Sequence, residues 1–487
     1  MTQRLHLQPV GWLLLSRGWR QIIALAVIAG LGWAFWWSAD LPLVPADGGL
    51  GRLGLRTLAV FVAALVLWVT EAVPLVVTGV GVFAALVACG YDLPKELPTG
   101  VPKMNPELVS DWFGDRVIAF LAGIFLIAGA LSASHVVDHV ALRALSTVAT
   151  TPRRLRQGVF WTAFFASLLM AEHAVAAMLF PVIVRIRDAL GRPRQSSRYI
   201  AGLFLGLAWG VTIGGIITYL GGARIALAMG ILAAKGHDTP GFVELMLHSL
   251  PIAIPFGIIA AIILEIAFPI DIGSIAPARE ALAQRRRELG RFGVRQILVS
   301  VILVLTVAAW AWTGVGYLAP VALASAALLL GSGLIRWSEI QHDVPWDLLI
   351  MEAGALALAA ALEATGAAKW GAGHAFAVLG SDPLVIIAVV TISTIVLTEM
   401  FSNPAVVTLL VPLLIVNAPA MGMDPLHLTL AVALPCGLSF VLPLGSPPLA
   451  IAFSSGEYRV RTVMFWGIVL DLIAVPLVVL AYRFFWI

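Results

Sequence analysis

Two short polar stretches, each broken by proline inside a long apolar run, constrain this chain more than any other feature. The sequence is apolar from about Pro383 to Val416, yet Thr398-Glu399-Met400-Phe401-Ser402-Asn403-Pro404 interrupts it with Thr, Glu, Ser, Asn and Pro. In hydrocarbon, unpaired polar groups and broken backbone are tolerated only where they are buried in protein or line a cavity. Ser and Asn offer oxygens, while Pro removes a donor and breaks the helix. The combination describes a helical hairpin whose tip stops part-way across a bilayer to hold an ion or a solute. A counterpart stands 231 residues earlier, Ser167-Leu-Leu-Met-Ala171-Glu172-His173-Ala174-Val175, ending at Pro181 as the later copy ends at Pro412.

The duplication extends beyond the tips. At the same offset Ala122-Gly123 meets Ala353-Gly354, and Ala128, Ala130-Leu131 and Ala133 meet Ala359, Ala361-Leu362 and Ala364. Single coincidences among alanines and leucines are cheap in such a composition. A gapless register from 122 to 182, with Gly and Pro in place, marks an internal repeat.

With 487 residues, 60% hydrophobic and only 12% charged, the chain is not a soluble globular domain. Many segments approach the ~20 apolar residues that cross a bilayer as a helix. The expected class is an all-α polytopic membrane protein with about eleven transmembrane helices in two repeats. The net charge of +3 comes largely from arginines in short loops, so it bears on topology and anionic lipid rather than on nucleic acid. Cys89 and Cys436 lie in apolar runs and give neither a disulfide framework nor metal-ligand spacing. Arg4, Arg17 and Arg20 precede an apolar stretch at 22–37 that carries Trp33, Trp36 and Trp37 and no small-residue cleavage site, which reads as an uncleaved first helix.

In order, helices are expected at 20–38, 55–70 and 72–91, followed by a polar exterior loop at 91–116. A helix from Val117 leads through a basic amphipathic piece into the first hairpin at 157–187. Residues 199–235 form a helix interrupted at Gly214-Gly215 and Gly221-Gly222, and another helix runs 247–270. The arginine-rich segment 275–296 reads as a solvated cytoplasmic linker. Helices at 296–313, 317–334 and 345–365, a second hairpin at 384–417, a broken helix at 426–456 and a last helix at 462–486 complete the chain. The expected units are an N-terminal helix and connector (1–54), repeat one (55–274), the linker (275–295) and repeat two (296–487).

Arginines orient the halves. Arg153, Arg154 and Arg156 precede the first hairpin and Arg185, Arg187, Arg192, Arg194 and Arg198 follow it, whereas no Lys or Arg flanks the second at Gly380–Asp382 or Asn417–His427. By the positive-inside bias the first hairpin enters from the cytoplasm and the second from outside, so the repeats are inverted. Counting crossings puts the N-terminus inside and the C-terminus outside a bacterial inner membrane. Inverted repeats with broken polar helices near the midplane mark a secondary transporter.

Four elements should converge: tips 167–173 and 398–404, and breaks at Gly214–Arg224 and Gly437–Pro448. Unwound carbonyls suit a cation and helix N-termini suit an anion, so the site favours an anionic solute coupled to a cation. At these residues the chain resembles the divalent anion–sodium symporter family. Ser402-Asn403 matches that family's Ser-Asn-Thr tip with Pro404 in place of Thr, and Ser446-Pro447-Pro448 matches its Thr-Pro-Pro-Asn break with Leu449 in place of Asn. Trp68-Val-Thr70-Glu71-Ala72-Val73-Pro74 matches a further signature, and Pro345-Trp346-Asp347 with Ala361–Gly366 looks like the start of its second core.

The resemblance implies a homodimer in which a transport domain moves against a scaffold in an elevator-like displacement. It implies sodium between each tip and its facing break: Ser167, Gly215 and Gly221 on one side, Thr398, Ser402, Asn403, Gly445 and Ser446 on the other. It also implies an anion touching both tips and no cofactor beyond the coupling ion; the candidate residues for the anion are Glu172, His173, Arg224, Ser402, Asn403, Pro404, Ser446 and Pro447. The departures concentrate in the first site, where Ala171-Glu172-His173 and Gly221-Gly222-Ala223-Arg224 replace the sodium-binding pattern. Burying such charges singly is costly, so Glu172 and Arg224 are expected to pair and to stand in for one sodium, with His173 adding a protonatable group and with it proton or exchange coupling. The alternative is that Glu172 and His173 cap the hairpin and sodium stays on Ser167 and carbonyls. Glu71 and Glu399 read as braces of helix ends, Glu352 as facing Arg336 or a helix end, and His135, His139 and His374 as interfacial. The other readings are an arsenite or antiporter type of ion transporter, and an intramembrane hydrolase using Glu172-His173. The hydrolase lacks His-Glu-x-x-His and Gly-x-Ser-x-Gly and leaves the duplication unexplained.

Overall fold

The computed structural model describes residues 17–43, 50–70, 72–90, 116–191, 195–313, 315–342, 344–367, 370, 382–442 and 445–486. Glu71, Arg192, Arg194, His374, Pro443 and the expected exterior loop over 91–115 lie outside these residues. Among the described residues every regular element is helical. Six helices are long and apolar enough to cross a membrane, namely Gly18–Asp40, Arg116–Ser134, Phe242–Ala267, Val294–Thr313, Pro383–Met400 and Val460–Trp486. Six further apolar helices are shorter, Ala223–Ala234 and Asn403–Pro419 among them.

Local sequence explains where the polar stretches stop the helices. The first pair opens with Thr151, whose hydroxyl accepts from the Arg154 N–H, and Pro152 in the first turn. This cap starts the helix Pro152–Ala166 ahead of the expected 157. Its partner, Glu172–Ala189, begins after a turn at 167–171 and carries Pro181 inside it. The second pair repeats the design. Asp382 caps Pro383–Met400, Phe401 and Ser402 are extended, and Asn403–Met421 restarts with Pro404 in its first turn. Gly422, at φ 63°, ends that helix in the left-handed region that glycine tolerates best.

The two halves interlock reciprocally. Leu75–Cys89 lies against Trp346–Ala364, and Leu318–Gly331 lies against Arg116–Ser134. A Cβ at Gly354 would come within 2.9 Å of Gly79 Cα, and one at Gly123 within 2.6 Å of Ala322 Cβ. Gly123 and Gly354 stand 231 residues apart, and each makes a close crossing of small residues between an earlier and a later part of the chain. The second helix of each pair also reaches across: Glu172–Ala189 packs on Pro447–Phe453, and Asn403–Met421 packs on Ala223–Ala234.

The arginine-rich linker differs from its expected solvated form. Its helix Ala276–Leu289 buries Ala278 and Leu282 and packs against Val136–Val148 and Glu172–Ala189. Arg185 Nη1 donates to Glu288 Oε2 at 2.7 Å, and that hydrogen bond holds the Glu288 carboxyl below the usual carboxylate range. Arg156 likewise leaves the basic flank and is buried, bonded to Glu265 and to the Phe268 carbonyl.

Candidate solute and cation site

The tips and breaks meet through named contacts. At the first tip the Glu172 backbone N–H donates to the Gly221 carbonyl at 3.0 Å. The Thr218 hydroxyl donates to the Leu168 carbonyl at 2.8 Å and accepts from the Gly221 N–H at 3.2 Å. Arg224 Nη1 donates to Glu172 Oε1 at 2.9 Å, with both side chains buried. Glu172 Oε2 and the Ser167 hydroxyl are buried without a hydrogen-bond partner. They lie 3.1 and 3.2 Å from the point a Cβ would occupy at Gly215, so only glycine leaves the space between them open.

Arg224 also joins the first break to the second. A Cβ at Gly437 would overlap its guanidinium, and its Nε and Nη2 are buried without a partner. The sequence places Arg224 opposite Glu172 and Gly437 at the start of the second break, but does not bring the two together. The signal was a glycine at the start of the second break, which is where a guanidinium from the other half finds room.

At the second tip the Thr398 hydroxyl lies against Asn403 Oδ1 and donates to the Cys436 carbonyl at 2.8 Å, and the Cys436 thiol donates to the Asn403 carbonyl at 3.2 Å. Glu399 braces the break as expected: Oε1 accepts from the Phe440 and Val441 N–H groups at 2.6 and 2.8 Å, and Oε2 from Leu442 N–H at 2.7 Å. A Cβ at Gly445 would overlap the Ser439 hydroxyl and come within 2.9 Å of Glu399 Oε2. The hydroxyls of Ser402 and Ser446 are buried without a partner. Pro404 and Pro447 occupy the first turns of their helices. His173 and Pro447 are exposed, and Ser402, Asn403 and Pro404 are partly so.

The two tip-and-break sets differ chemically. The second tip and break present neutral oxygens from Thr398, Ser402, Asn403 and Ser446, a donor set that suits a hard monovalent cation. The first presents a carboxylate already engaged by a guanidinium.

Two acids fall outside these expectations. Glu352 does not face Arg336. It is enclosed in Trp346–Ala364 with neither carboxylate oxygen bonded, while the Arg336 backbone N–H bonds Glu339. Asp471 lies in the last helix, which the sequence presents as a plain span. Gly467, one turn before it, packs against the Phe440 backbone, and Asp471 Oδ1 is buried without a partner. A lone acid in an apolar helix was the available signal.

With this geometry in place, the family described as the sodium:sulfate symporter transmembrane region matches residues 19–487. The chain belongs to that family. It is a multi-pass membrane transporter, not an enzyme, of a sodium-coupled dicarboxylate and sulfate type of family. The sodium-dependent dicarboxylate transporter SdcS of Staphylococcus saprophyticus is 28% identical over 86% of this chain and 85% of its own. SdcS of Staphylococcus aureus is 26% identical over 88% and 85%. Among solved structures, the Alcanivorax borkumensis YdaH transporter aligns over 89% of this chain and 99% of its own, with TM-score 0.55 and 15% identity. Neisseria gonorrhoeae MtrF aligns over 87% and 97%, with TM-score 0.55 and 13% identity. These two establish likeness of fold.

Proposed function

We propose that this chain carries a small dianion, a dicarboxylate or a sulfate-like anion, across the bacterial inner membrane, with the Arg224–Glu172 pair in place of one coupling cation. The observation that carries the reading is the buried 2.9 Å bond between Arg224 Nη1 and Glu172 Oε1, set where the duplicated architecture has neutral hydroxyls on the other side. Thr398, Ser402, Asn403, Gly445 and Ser446 would hold sodium at the second site. Ser167, Gly215 and Gly221, the counterpart set, surround the fixed pair instead. The anion would sit between the tips, against the N-termini of Glu172–Ala189 and Asn403–Met421, whose dipoles favour negative charge. Arg224 Nε and Nη2, His173, Pro404 and Pro447 border that space.

The reciprocal crossings Gly79–Gly354 and Gly123–Ala322 support two inverted repeats with re-entrant hairpins, spanning 55–274 and 296–487 on either side of the linker 275–295, with 1–54 as an added helix and connector. Elevator-type displacement of both hairpins and breaks against the remaining helices, in a homodimer with a cytoplasmic N-terminus and an outside C-terminus, completes the reading.

Reconstitution in proteoliposomes tests it. Sodium is expected to activate succinate or sulfate uptake to low order, and Glu172→Gln to alter the dependence on sodium and pH. Steep sodium dependence unchanged by Glu172→Gln, together with a flat pH profile, would overturn the substitution of one cation by the pair. A second coupling, obligatory anion exchange, is favoured by the two unpartnered nitrogens of Arg224, because buried donors left without an acceptor in the empty carrier are costly and resist its return. Uptake driven by internal anion without sodium would select exchange over symport.

A further inference from the structure

We propose that the cleft between the helices Val136–Val148 and Ala276–Leu289 binds the headgroup of an anionic phospholipid from the leaflet on the arginine-rich side. The cleft encloses about 800 Å³ and is lined by Arg143, Arg286, Arg287 and Arg291 with His139 and Phe292. All four arginines are exposed. Arg286 donates to the Ser146 hydroxyl at 3.2 Å, a neutral acceptor that leaves its charge uncompensated there. Of the nearby carboxylates, Glu288 is engaged with Arg185 and Arg285 and Asp138 with His135, while Glu280 lines the adjoining cavity with Arg279 and Arg286 rather than this one. The lining therefore concentrates positive charge with no acid in it, which draws a phosphodiester rather than a zwitterionic surface.

Lipid, rather than a free phosphate, is indicated by what adjoins the charge. The Phe292 ring meets His139 edge-on at 5.4 Å and closes one end of the cleft. Two residues further on begins the membrane-length helix Val294–Thr313. Val294, Ile297, Leu298, Val301, Val304 and Leu305 are exposed along it. Their spacing of three and four residues places them on one helical stripe. An acyl chain following that stripe would leave its headgroup in the cleft, with the arginine stems reaching the interface. Since Ala276–Leu289 also packs on the second helix of the first pair, the bound lipid would join the surface helices to the transport machinery.

The test uses the full-length protein in detergent, with its melting temperature measured on adding phosphatidylglycerol, phosphatidylcholine or inorganic phosphate. Phosphatidylglycerol is expected to raise the melting temperature by several degrees, and the other two to leave it unchanged. The variant R143A/R287A/R291A should lose the rise while melting like the parent without lipid, because the three side chains make no bonds that hold the fold. The variant R143K/R287K/R291K should keep most of the rise, which separates lost charge from lost structure. An undiminished rise in the alanine variant, or an equal rise with phosphatidylcholine, would overturn the proposal. Stabilisation by inorganic phosphate alone would reassign the cleft to a free anion and overturn it too.

Discussion

Arg224 and Glu172 lie 52 residues apart in the chain, and their side chains meet at 2.9 Å where both are buried. Removing one partner of such a pair leaves an uncompensated charge in a low dielectric, a loss of about 3–5 kcal/mol. Replacing both partners with neutral groups removes the imbalance as well as the attraction. R224Q is therefore expected to melt at a lower temperature than E172Q/R224Q, as thermal unfolding in detergent would measure. If the single and double variants melt together, the two charges are not each other's compensation.

Glu399 spends its carboxylate on three consecutive backbone N–H groups, those of Phe440, Val441 and Leu442. In E399Q an amide NH2 must face at least one of those donors, leaving a buried N–H unsatisfied at a cost of about 1–3 kcal/mol. The break that carries Ser439, Gly445 and Ser446 would loosen. The expected outcome is a lower melting temperature together with a weaker stabilisation by added sodium. A variant that loses stability but keeps the whole sodium-dependent rise would assign Glu399 to the fold alone.

The tips and breaks were legible in the sequence because lipid makes polar residues and prolines conspicuous: Ser402-Asn403-Pro404 and Glu172-His173 have no other reason to interrupt apolar runs. The pairing of Glu172 with Arg224 followed from charge alone. Other features were hidden by the same composition. Gly79 and Gly354 look like any glycines in an apolar helix, and only the crossing of the two halves gives them a task. The linker looked solvated because its arginines outnumber the two residues, Ala278 and Leu282, that seat it. Glu352 stood out as an acid, but Arg336, one of the partners expected for it, is exposed while Glu352 is fully buried. Its enclosure depends on helices distant in sequence, which no local pattern reports.

The crossing supplies its own control. A methyl group at Gly354 would meet Gly79 Cα and its carbonyl oxygen at 2.9 Å, both backbone atoms that cannot turn aside. Gly81, two residues along the same helix as Gly79, has nothing within 4 Å of its added Cβ. Gly354→Ala is expected to destabilise by about 1–3 kcal/mol through overpacking, and Gly123→Ala in the same direction at the reciprocal crossing. Gly81→Ala should be neutral or stabilising, by up to about 1 kcal/mol, from helix propensity. Equal melting of G354A and G81A would show that the halves do not approach this closely.

Lys235, just past the helix Ala223–Ala234, donates to the Ala359 carbonyl at 2.9 Å and pairs with Glu363. It thus ties the element that follows the first break to Trp346–Ala364, a helix of the proposed scaffold. If the tips and breaks travel as one body past that helix, this bridge has to open in each cycle. A cross-link between cysteines placed at 235 and 363, made with a short bis-maleimide, is expected to abolish transport in proteoliposomes, whereas each single cysteine treated alike should retain it. Cys89 and Cys436 are buried, which limits side reaction of the reagent. A cleavable linker would restore transport on cleavage and so exclude damage to the protein. Full transport by the completely cross-linked protein would mean that the two helices keep their contact throughout, and displacement of one body past the other could not then be how the solute crosses.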